Sequence, residues 1–292
     1  MIQDPLDPRD WLYTWSRNDI APAKRLLSDR RIEDQRNTQS CTAQATASCC
    51  AILSGQEWSA LFNYFLSREL LGGMYLDKDN GSTLRGALRA ASKLGMAPDV
   101  AWPFDERQVH TRPTADVIAL AAPHKVTGYF RIYETPDDRI LAMRHALASG
   151  KPVTVGMIIG TEFIALQGDA ICKAAGQETY LHAMCVVGYD QDSFYLENSW
   201  GQTWGNNGIG RVSIDMMKRS CVDAWVVGEF DGNKGTSAMT FDPVRAQIIR
   251  DYLKNIFGNI KKDADTYKAS CAEIDSAMGW AAGTAEKVLC LQ

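Results

Sequence analysis

No apolar run in this 292-residue chain approaches the roughly 18 residues that a membrane-spanning helix needs. The opening stretch MIQDPLDPRDWLYTW is acidic and lacks the basic-then-apolar pattern of a secretory leader. There is no Cys-x-x-Cys pair, and none of the four histidines flanks a cysteine at zinc-ligand spacing, so no metal site and no cofactor are expected. The eight cysteines are too few for a secreted disulfide scaffold in a chain this long. A net charge of −4 gives no reason to expect nucleic acid or an anionic membrane as partner. Repeats and low-complexity tracts are absent too. What remains is an ordinary soluble globular composition, with 46% apolar and 23% charged residues.

The most informative stretch runs from Leu181 to Gly210, LHAMCVVGYDQDSFYLENSWGQTWGNNGIG. HAMCVVGY is an apolar run of strand length, and FYLENSW is a second with aromatic, alternating character. Asp190, Gln191, Asp192 and Ser193 supply a turn between them. His182 then stands at the start of one strand and Asn198 at the end of the next, and antiparallel pairing brings them side by side. A histidine held by a neutral amide is half of a nucleophilic constellation; a thiol or hydroxyl at a helix N-terminus would complete it. Cys41 opens such a segment in DQRNTQSCTAQATASCCAIL, with Ala43, Ala45 and Ala47 allowing close packing and Gly55 as the stop signal.

Together these stretches resemble the papain-like cysteine peptidases of the C1 family, in particular bacterial and viral members that lack a prosegment. Gln35 lies six residues before Cys41, His182 and Asn198 are sixteen apart, and Ser199 through Gly208 reproduce the S-W-G-x-x-W-G-x-x-G run. The histidine and asparagine follow the cysteine by 141 and 157 residues, near the family's usual interval of roughly 130–150. The resemblance covers about residues 10 to 230. It implies Cys41 as nucleophile, His182 as acid and base, and Asn198 as the group orienting the imidazole. The Gln35 amide and the Cys41 backbone N–H would then be the oxyanion donors, with Ser199 and Trp200 in support and Trp200 shielding the His182–Asn198 hydrogen bond. Trp204, Gly205 and Gly208 read as a packed structural turn. Cys49, Cys50, Cys172, Cys185 and Cys221 read as inert core residues, Cys271 and Cys290 as a possible pair within the tail, and His110, His124 and His145 as structural or solvated.

Three departures bear on environment and substrate. Secreted members bridge a cysteine three before the nucleophile to one just ahead of the substrate-binding glycines; here those positions are Thr38 and Asp79. Their joint loss fits a reducing compartment, and Asn80-Gly81-Ser82, a match to the glycosylation sequon, reads as a turn. The residue after the nucleophile is Thr42 rather than tryptophan. The glycine pair that bonds an extended substrate backbone is Gly81-Ser82, with Thr83, Leu84, Leu181 and Ala183 as further lining positions, implying an apolar substrate residue before the one at the scissile bond.

The fold class implied is α+β: a two-lobe papain-like fold with a helical left lobe, an antiparallel sheet or barrel in the right lobe, and a C-terminal helical extension. Residues 1–30 form an N-terminal arm, 31–230 the peptidase domain, and 231–292 a linker and extension. Helices are expected over 41–54, 57–71, 83–94 and 136–149, irregular chain over 98–125, strands in KVTGYFRIY and PVTVGMII, and loops in LGGMYLDKDNGS and TEFIALQGD. In the extension, Val244, Ile248, Tyr252 and Ile256 make an i, i+4 stripe on one helix, and a polar helix follows over 262–278. The chain is expected to begin near the mature start without a prosegment.

The expected activity is hydrolysis of peptide bonds in a protein or peptide substrate through an acyl-enzyme on Cys41, in a cytoplasmic or virion-like setting. The C-terminal helices are a possible protein-docking element. The alternatives are a deamidase or transglutaminase-type acyl transferase on the same triad, an effector delivered into a rival cell, and a structural or assembly protein that retains the fold.

Overall fold

The apolar run around Val186 is long because both of its faces are buried. In the computed structural model, which describes residues 1–16, 22–26, 31–72, 76–133 and 135–230, it becomes the ten-residue strand β5 (Tyr180–Tyr189). Successive side chains of a strand point to opposite faces. Ala183, Cys185 and Val187 therefore pack with the first helix, α1 (Cys41–Ser54), while Met184 and Val186 pack into a second core on the other side. That second core is closed by Met143, Ala146 and Leu147 of α5 (Pro136–Ala148) and by Met216 and Met217 of α7 (Ile214–Ser220).

The remaining strands are β1 (Arg25–Leu26), β2 (Tyr129–Arg131), β3 (Val153–Ile159), β4 (Ile171–Cys172), β6 (Ser193–Glu197), β7 (Ile209–Ser213) and β8 (Cys221–Val227). They run in the order β2-β8-β3-β5-β6-β7-β4, with β1 added to β5. All pairings are antiparallel except β4 with β7. The helical lobe holds α1, α2 (Ala60–Leu70), α3 (Leu84–Lys93) and α4 (Ala115–Ala121). Its own core lies among Phe62, Phe65, Leu66, Ala90, Ala97, Val117 and Ala121. This is the α+β, two-lobe arrangement expected.

Capping chemistry sets the helix limits. α1 starts at Cys41 and stops where Gly55 adopts φ +71°, the left-handed conformation that glycine takes at no steric cost. α2 begins at Ala60 rather than 57, because Trp58 bridges Pro98 and the Ser59 hydroxyl accepts the Phe62 N–H at 3.0 Å. Thr83 caps α3 by accepting the Gly86 N–H at 2.9 Å, so that helix runs 84–93. The stretch 98–125 is less irregular than expected: Thr114 caps α4, and 3₁₀ turns sit at Asp99–Ala101 and Glu106–Gln108. Conversely, the strand expected over 125–133 shrinks to Tyr129–Arg131, since Gly128 is drawn against Gly228, whose N–H it accepts at 2.7 Å. TEFI turns out to be a single helical turn, α6 (Thr161–Ile164), rather than loop.

The turn between β5 and β6 is organised by one carboxylate. Asp190 accepts from the backbone N–H groups of Asp192 (3.0 Å) and Ser193 (2.7 Å), and from the hydroxyls of Ser193 and Tyr195 (2.9 Å each). Arg211 of β7 adds an ion pair at 2.6 Å. Burial opposes ionisation, but the donors, the Tyr195 and Ser193 side chains first, overcome it and hold the carboxyl at about 2. Asp190→Ala is expected to cost about 2 kcal/mol, read as a lower thermal midpoint. Because the folded value lies below the unfolded one, this contribution is complete above about pH 4 and is lost as pH falls towards 2. Acid titration of both proteins checks it: their stability difference must narrow below pH 4.

By internal contacts the chain divides into two units, Met1–Gly235 and Thr236–Gln292. The linker and C-terminal helices expected at 231–292 lie outside the described residues. No helix among the described residues is long and apolar enough to cross a membrane.

Candidate active site

Cys41 is the first residue of α1, where the helix leaves its N–H groups without intrahelical partners and presents a partial positive charge. Its neighbours across the lobe boundary come from β5, and its 2% exposure puts the sulfur inside the protein. His182 is the third residue of β5 and lies opposite Met157 of β3. The β5–β6 register pairs Cys185 with Glu197, so the residue after β6 is carried back alongside His182. There the imidazole Nε2 and Asn198 Oδ1 are 2.8 Å apart. An amide oxygen can only accept, so Nε2 is the donor, and Nδ1 is the nitrogen left for the thiol. The same Oδ1 accepts the Ser199 N–H at 2.8 Å.

Burial alone would raise the Cys41 pKa. The hydrogen bond and charge of His182, aided by the N-terminal ammonium and the Ala183 N–H, instead lower it to about 6. The contrast with Cys221 is instructive: equally buried, its thiol is pushed up by that burial to about 11 even against the Arg139 guanidinium, which favours the thiolate. All six cysteines among the described residues are buried, and Cys49 and Cys185 bring their sulfurs to 3.3 Å across the α1–β5 contact. Among the described residues no cluster of histidine, cysteine or carboxylate is arranged to hold a metal.

Trp200 stacks on the His182 ring at 4.9 Å and 30°. It is held edge-on by Trp204 at 5.4 Å and Phe163 at 5.9 Å. Trp204 in turn donates its indole N–H to the Phe163 and Ile164 carbonyls. Gly210 has to be glycine here, since a Cβ would lie 2.3 Å from the Trp204 ring. Gly210, two residues past the S-W-G run, thus lets one tryptophan brace another against the imidazole.

Gln35 is 8% exposed and joins the two lobes. Its backbone N–H donates to the Ser199 carbonyl at 2.8 Å. Its side-chain oxygen accepts the Ser199 hydroxyl at 2.7 Å, and Nε2 donates one hydrogen to the Thr38 carbonyl at 2.7 Å. An amide nitrogen carries two hydrogens, so one further donor remains. Ser199 therefore contacts both Gln35 and Asn198, a linking position that sequence spacing did not express.

Gly81 and Ser82 lie against the N-terminal residues Met1 and Ile2, and Ala183 pairs with Gly156, which Met1 also meets. Gly81 has φ +87°, and a Cβ there would meet the Met1 nitrogen at 3.4 Å. Ser82 is fully buried, its hydroxyl without a partner and its carbonyl accepting the Ile2 N–H at 2.9 Å. Ala183 is buried beside Gly156, and Leu181 is half-buried opposite Ile158. Thr83, expected to line the site, spends its hydroxyl on capping α3. The segments that secreted relatives would join by a disulfide are held here by Asp79. It accepts the Gln39 N–H at 3.0 Å and the Tyr64 hydroxyl, which itself receives the Gly81 N–H at 3.1 Å. A missing bridge gives no sequence signal for what replaces it, so Tyr64 could not be found that way.

Residues 24–224 match the family described as papain family cysteine protease. Among curated proteins, an uncharacterized peptidase C1-like protein of Acanthamoeba polyphaga mimivirus is 28% identical over 67% of this chain and 69% of its own length. A cathepsin B-like protein of Giardia intestinalis is 25% identical, and the chain spans only about half (53%) of that relative's length. Among solved structures, xylellain, a cysteine protease from Xylella fastidiosa, superposes with a TM-score of 0.69 at 25% identity, covering 78% of this chain and 94% of the other. The bromelain protease of Ananas comosus, solved with the E64 inhibitor, shares the fold: TM-score 0.57 at 17% identity, over 71% of this chain and 99% of its own. With most of its length matched, the chain belongs to the papain family of cysteine proteases, whose activity is the thiol-dependent hydrolysis of peptide bonds.

Proposed function

We propose that Cys41, His182 and Asn198 form the catalytic triad of this protease, with the Gln35 amide and the Cys41 N–H as oxyanion donors. The observation that carries the reading is a fully buried thiol held at about 6 by a histidine whose other nitrogen is fixed by an amide. The thiolate attacks the scissile carbonyl carbon, and the negative charge moves to the carbonyl oxygen between the two donors. As the C–N bond breaks, His182 Nδ1 gives its proton to the leaving amine. The acyl group is now a thioester on Cys41. His182 then takes a proton from water, whose oxygen displaces the sulfur and releases the acid. Asn198 stays neutral throughout and keeps Nδ1 aimed at the sulfur. Trp200 keeps water from the His182–Asn198 bond, which is stronger in a low dielectric.

The substrate we assign is a protein or peptide whose backbone lies along Gly81-Ser82, with Leu181 and Ala183 as neighbours. The peptidase domain is taken as 31–230, with residues 1–30 as its arm and 231–292 as linker and extension; the helices of the extension are proposed as a docking element for a protein partner. A reducing setting, cytoplasmic or virion-like, is supported by the Asp79 hydrogen bonds at the position of the disulfide and by the viral relative.

Labelling tests the triad. An epoxide thiol-protease inhibitor should modify Cys41 alone, and Cys41→Ala should abolish both labelling and hydrolysis. The labelling rate of the wild type should climb through about pH 6 and level off above it, where an ordinary thiol would still be rising near 8.5. A profile centred near 8.5, or adducts spread over several cysteines, would overturn the assignment. Product analysis separates hydrolysis, which makes a new N-terminus, from deamidation, which releases ammonia.

A further inference from the structure

Tyr64 of α2 takes no part in the mechanism above, yet its fully buried phenol meets both the turn ahead of the nucleophile and the stretch assigned to substrate. The hydroxyl carries one hydrogen, which it donates to Asp79, and its oxygen accepts the Gly81 N–H at 3.1 Å. The same carboxylate accepts the Gln39 backbone N–H, 3.2 Å from Oδ1 and 3.0 Å from Oδ2. Gln39 stands two residues before Cys41, and Gly81 immediately before Ser82. A Cβ added to Gly81 would meet the Gln39 carbonyl oxygen at 3.5 Å, so the two segments run close together. One phenol–carboxylate pair thus ties the approach to the nucleophile to the backbone along which a peptide lies.

The phenol can hold other groups because it is itself held. Its ring packs with Ala43 of α1, Leu61 and Val109. The Arg68 guanidinium, four residues on along α2, lies 4.1 Å from the ring centre. Arg68 also donates to the carbonyls of Tyr64 (3.4 Å), Lys78 (3.3 Å) and Val109, so the residue ahead of Asp79 is fastened to α2 as well. Burial, with the Asp79 charge beside it, raises the phenol's pKa, so its O–H stays a donor through neutral pH. A hydrogen bond to an ionised acceptor is stronger than one between neutral groups. Ser82 in turn packs its hydroxyl against Gly86 of α3, where a Cβ would lie 3.2 Å from it. Gly81 is therefore held by α2 and Ser82 by α3.

We propose that Tyr64 is a positioning residue for substrate: through Asp79 and the Gly81 N–H it fixes the Gly81-Ser82 backbone relative to Cys41, ready for an extended peptide. The proposal rests on the triad and substrate readings above. Tyr64 itself touches no reacting atom. A backbone already in place costs less to order on binding, which strengthens the complex. Such a contact serves bound substrate and transition state alike, so its loss appears in KM and not in kcat. Reactions at Cys41 that engage no peptide backbone do not need it.

Tyr64→Phe keeps the ring beside Arg68 and deletes only the hydroxyl. In the full chain, Cys41 modification is measured with a peptidyl epoxide and with iodoacetamide, which carries no peptide, beside hydrolysis of an extended peptide. KM and the half-saturating epoxide concentration should both rise about tenfold, the loss expected of roughly one hydrogen bond. The maximal rates and iodoacetamide labelling should stay as in the wild type. Asp79→Asn, which still offers an oxygen to the phenol and to Gln39, should keep KM within about threefold of wild type, whereas Asp79→Ala should match Tyr64→Phe. If Tyr64→Phe fails to fold, the two Asp79 variants read the same concentrations. An unchanged KM overturns the positioning role, as does iodoacetamide labelling slowed as much as the epoxide; a lower thermal midpoint alone marks a purely structural hydroxyl. The expected split in labelling without cleavage of any peptide keeps the positioning role and removes the peptidase reading. Cleavage by both proteins with one KM does the reverse.

Discussion

His182→Ala is expected to lower kcat/KM for peptide hydrolysis by about 10⁴ or more, some 5 kcal/mol of transition-state stabilisation. The size follows from what the imidazole does twice. Before the reaction it offsets the burial of Cys41, which by itself raises the thiol. Without it the sulfur should behave more like Cys221, which burial pushes up to about 11, so the thiolate fraction at neutral pH becomes small. During the reaction no other group replaces the proton donor to the leaving amine. Two measurements separate these contributions. Labelling of Cys41 needs only the thiolate, so its pH profile should move from about 6 to above 8.5 and its plateau should persist at high pH. Hydrolysis needs the proton donor as well and should stay low even where the thiol is ionised. Recovery of hydrolysis at high pH would mean that His182 serves only to ionise the thiol, against the role given to it here.

How much of this was legible in the sequence depends on whether a feature is local. The α1 segment is so, because small residues, a nucleophile at the first position and Gly55 past the end all agree on one helix. The hairpin of β5 and β6 is equally readable, since two apolar runs joined by Asp190 to Ser193 leave one sensible pairing, and that pairing brings His182 to Asn198. Boundaries fared worse where tertiary contacts decide them. Trp58 could have extended α2, but it is drawn to Pro98 as an isolated bridge. α4 was missed because Pro113 dominated a stretch in which Thr114 and Asp116 already carried a helix start. The features least visible were long-range and polar: Asp79 on Tyr64, Ser199 on Gln35, and Arg85 and Arg131 on Asp10. A charged side chain in an irregular segment looks solvated until its partner, 75 or 121 residues away, is folded against it. The acidic N-terminus counted against a leader in the sequence, and in the structure its acids are what fastens it.

Gln35→Ala carries the second large effect, and its pattern differs from that of His182→Ala. Removing one donor to the oxyanion should lower kcat by about 10²–10³. The interaction exists only once the carbonyl oxygen has become negative, so KM should change little. Cys41 labelling by an epoxide passes through no carbonyl oxyanion and needs no Gln35 amide, so its rate and its pH profile should be nearly those of the wild type. The amide has a second duty, however. It accepts from the Ser199 hydroxyl and donates to the Thr38 carbonyl inside the protein, and an alanine leaves both without this partner, at about 1–3 kcal/mol for each buried group left unsatisfied. A fall in thermal midpoint is therefore expected beside the loss of rate. Gln35→Glu divides the two: a carboxylate can still accept from Ser199 but presents a negative charge, and no N–H, to a developing anion. It should recover part of the stability and none of the rate. If glutamate restored kcat, or if alanine slowed labelling as much as hydrolysis, Gln35 would be a support for Ser199 and Asn198 rather than a donor to the transition state.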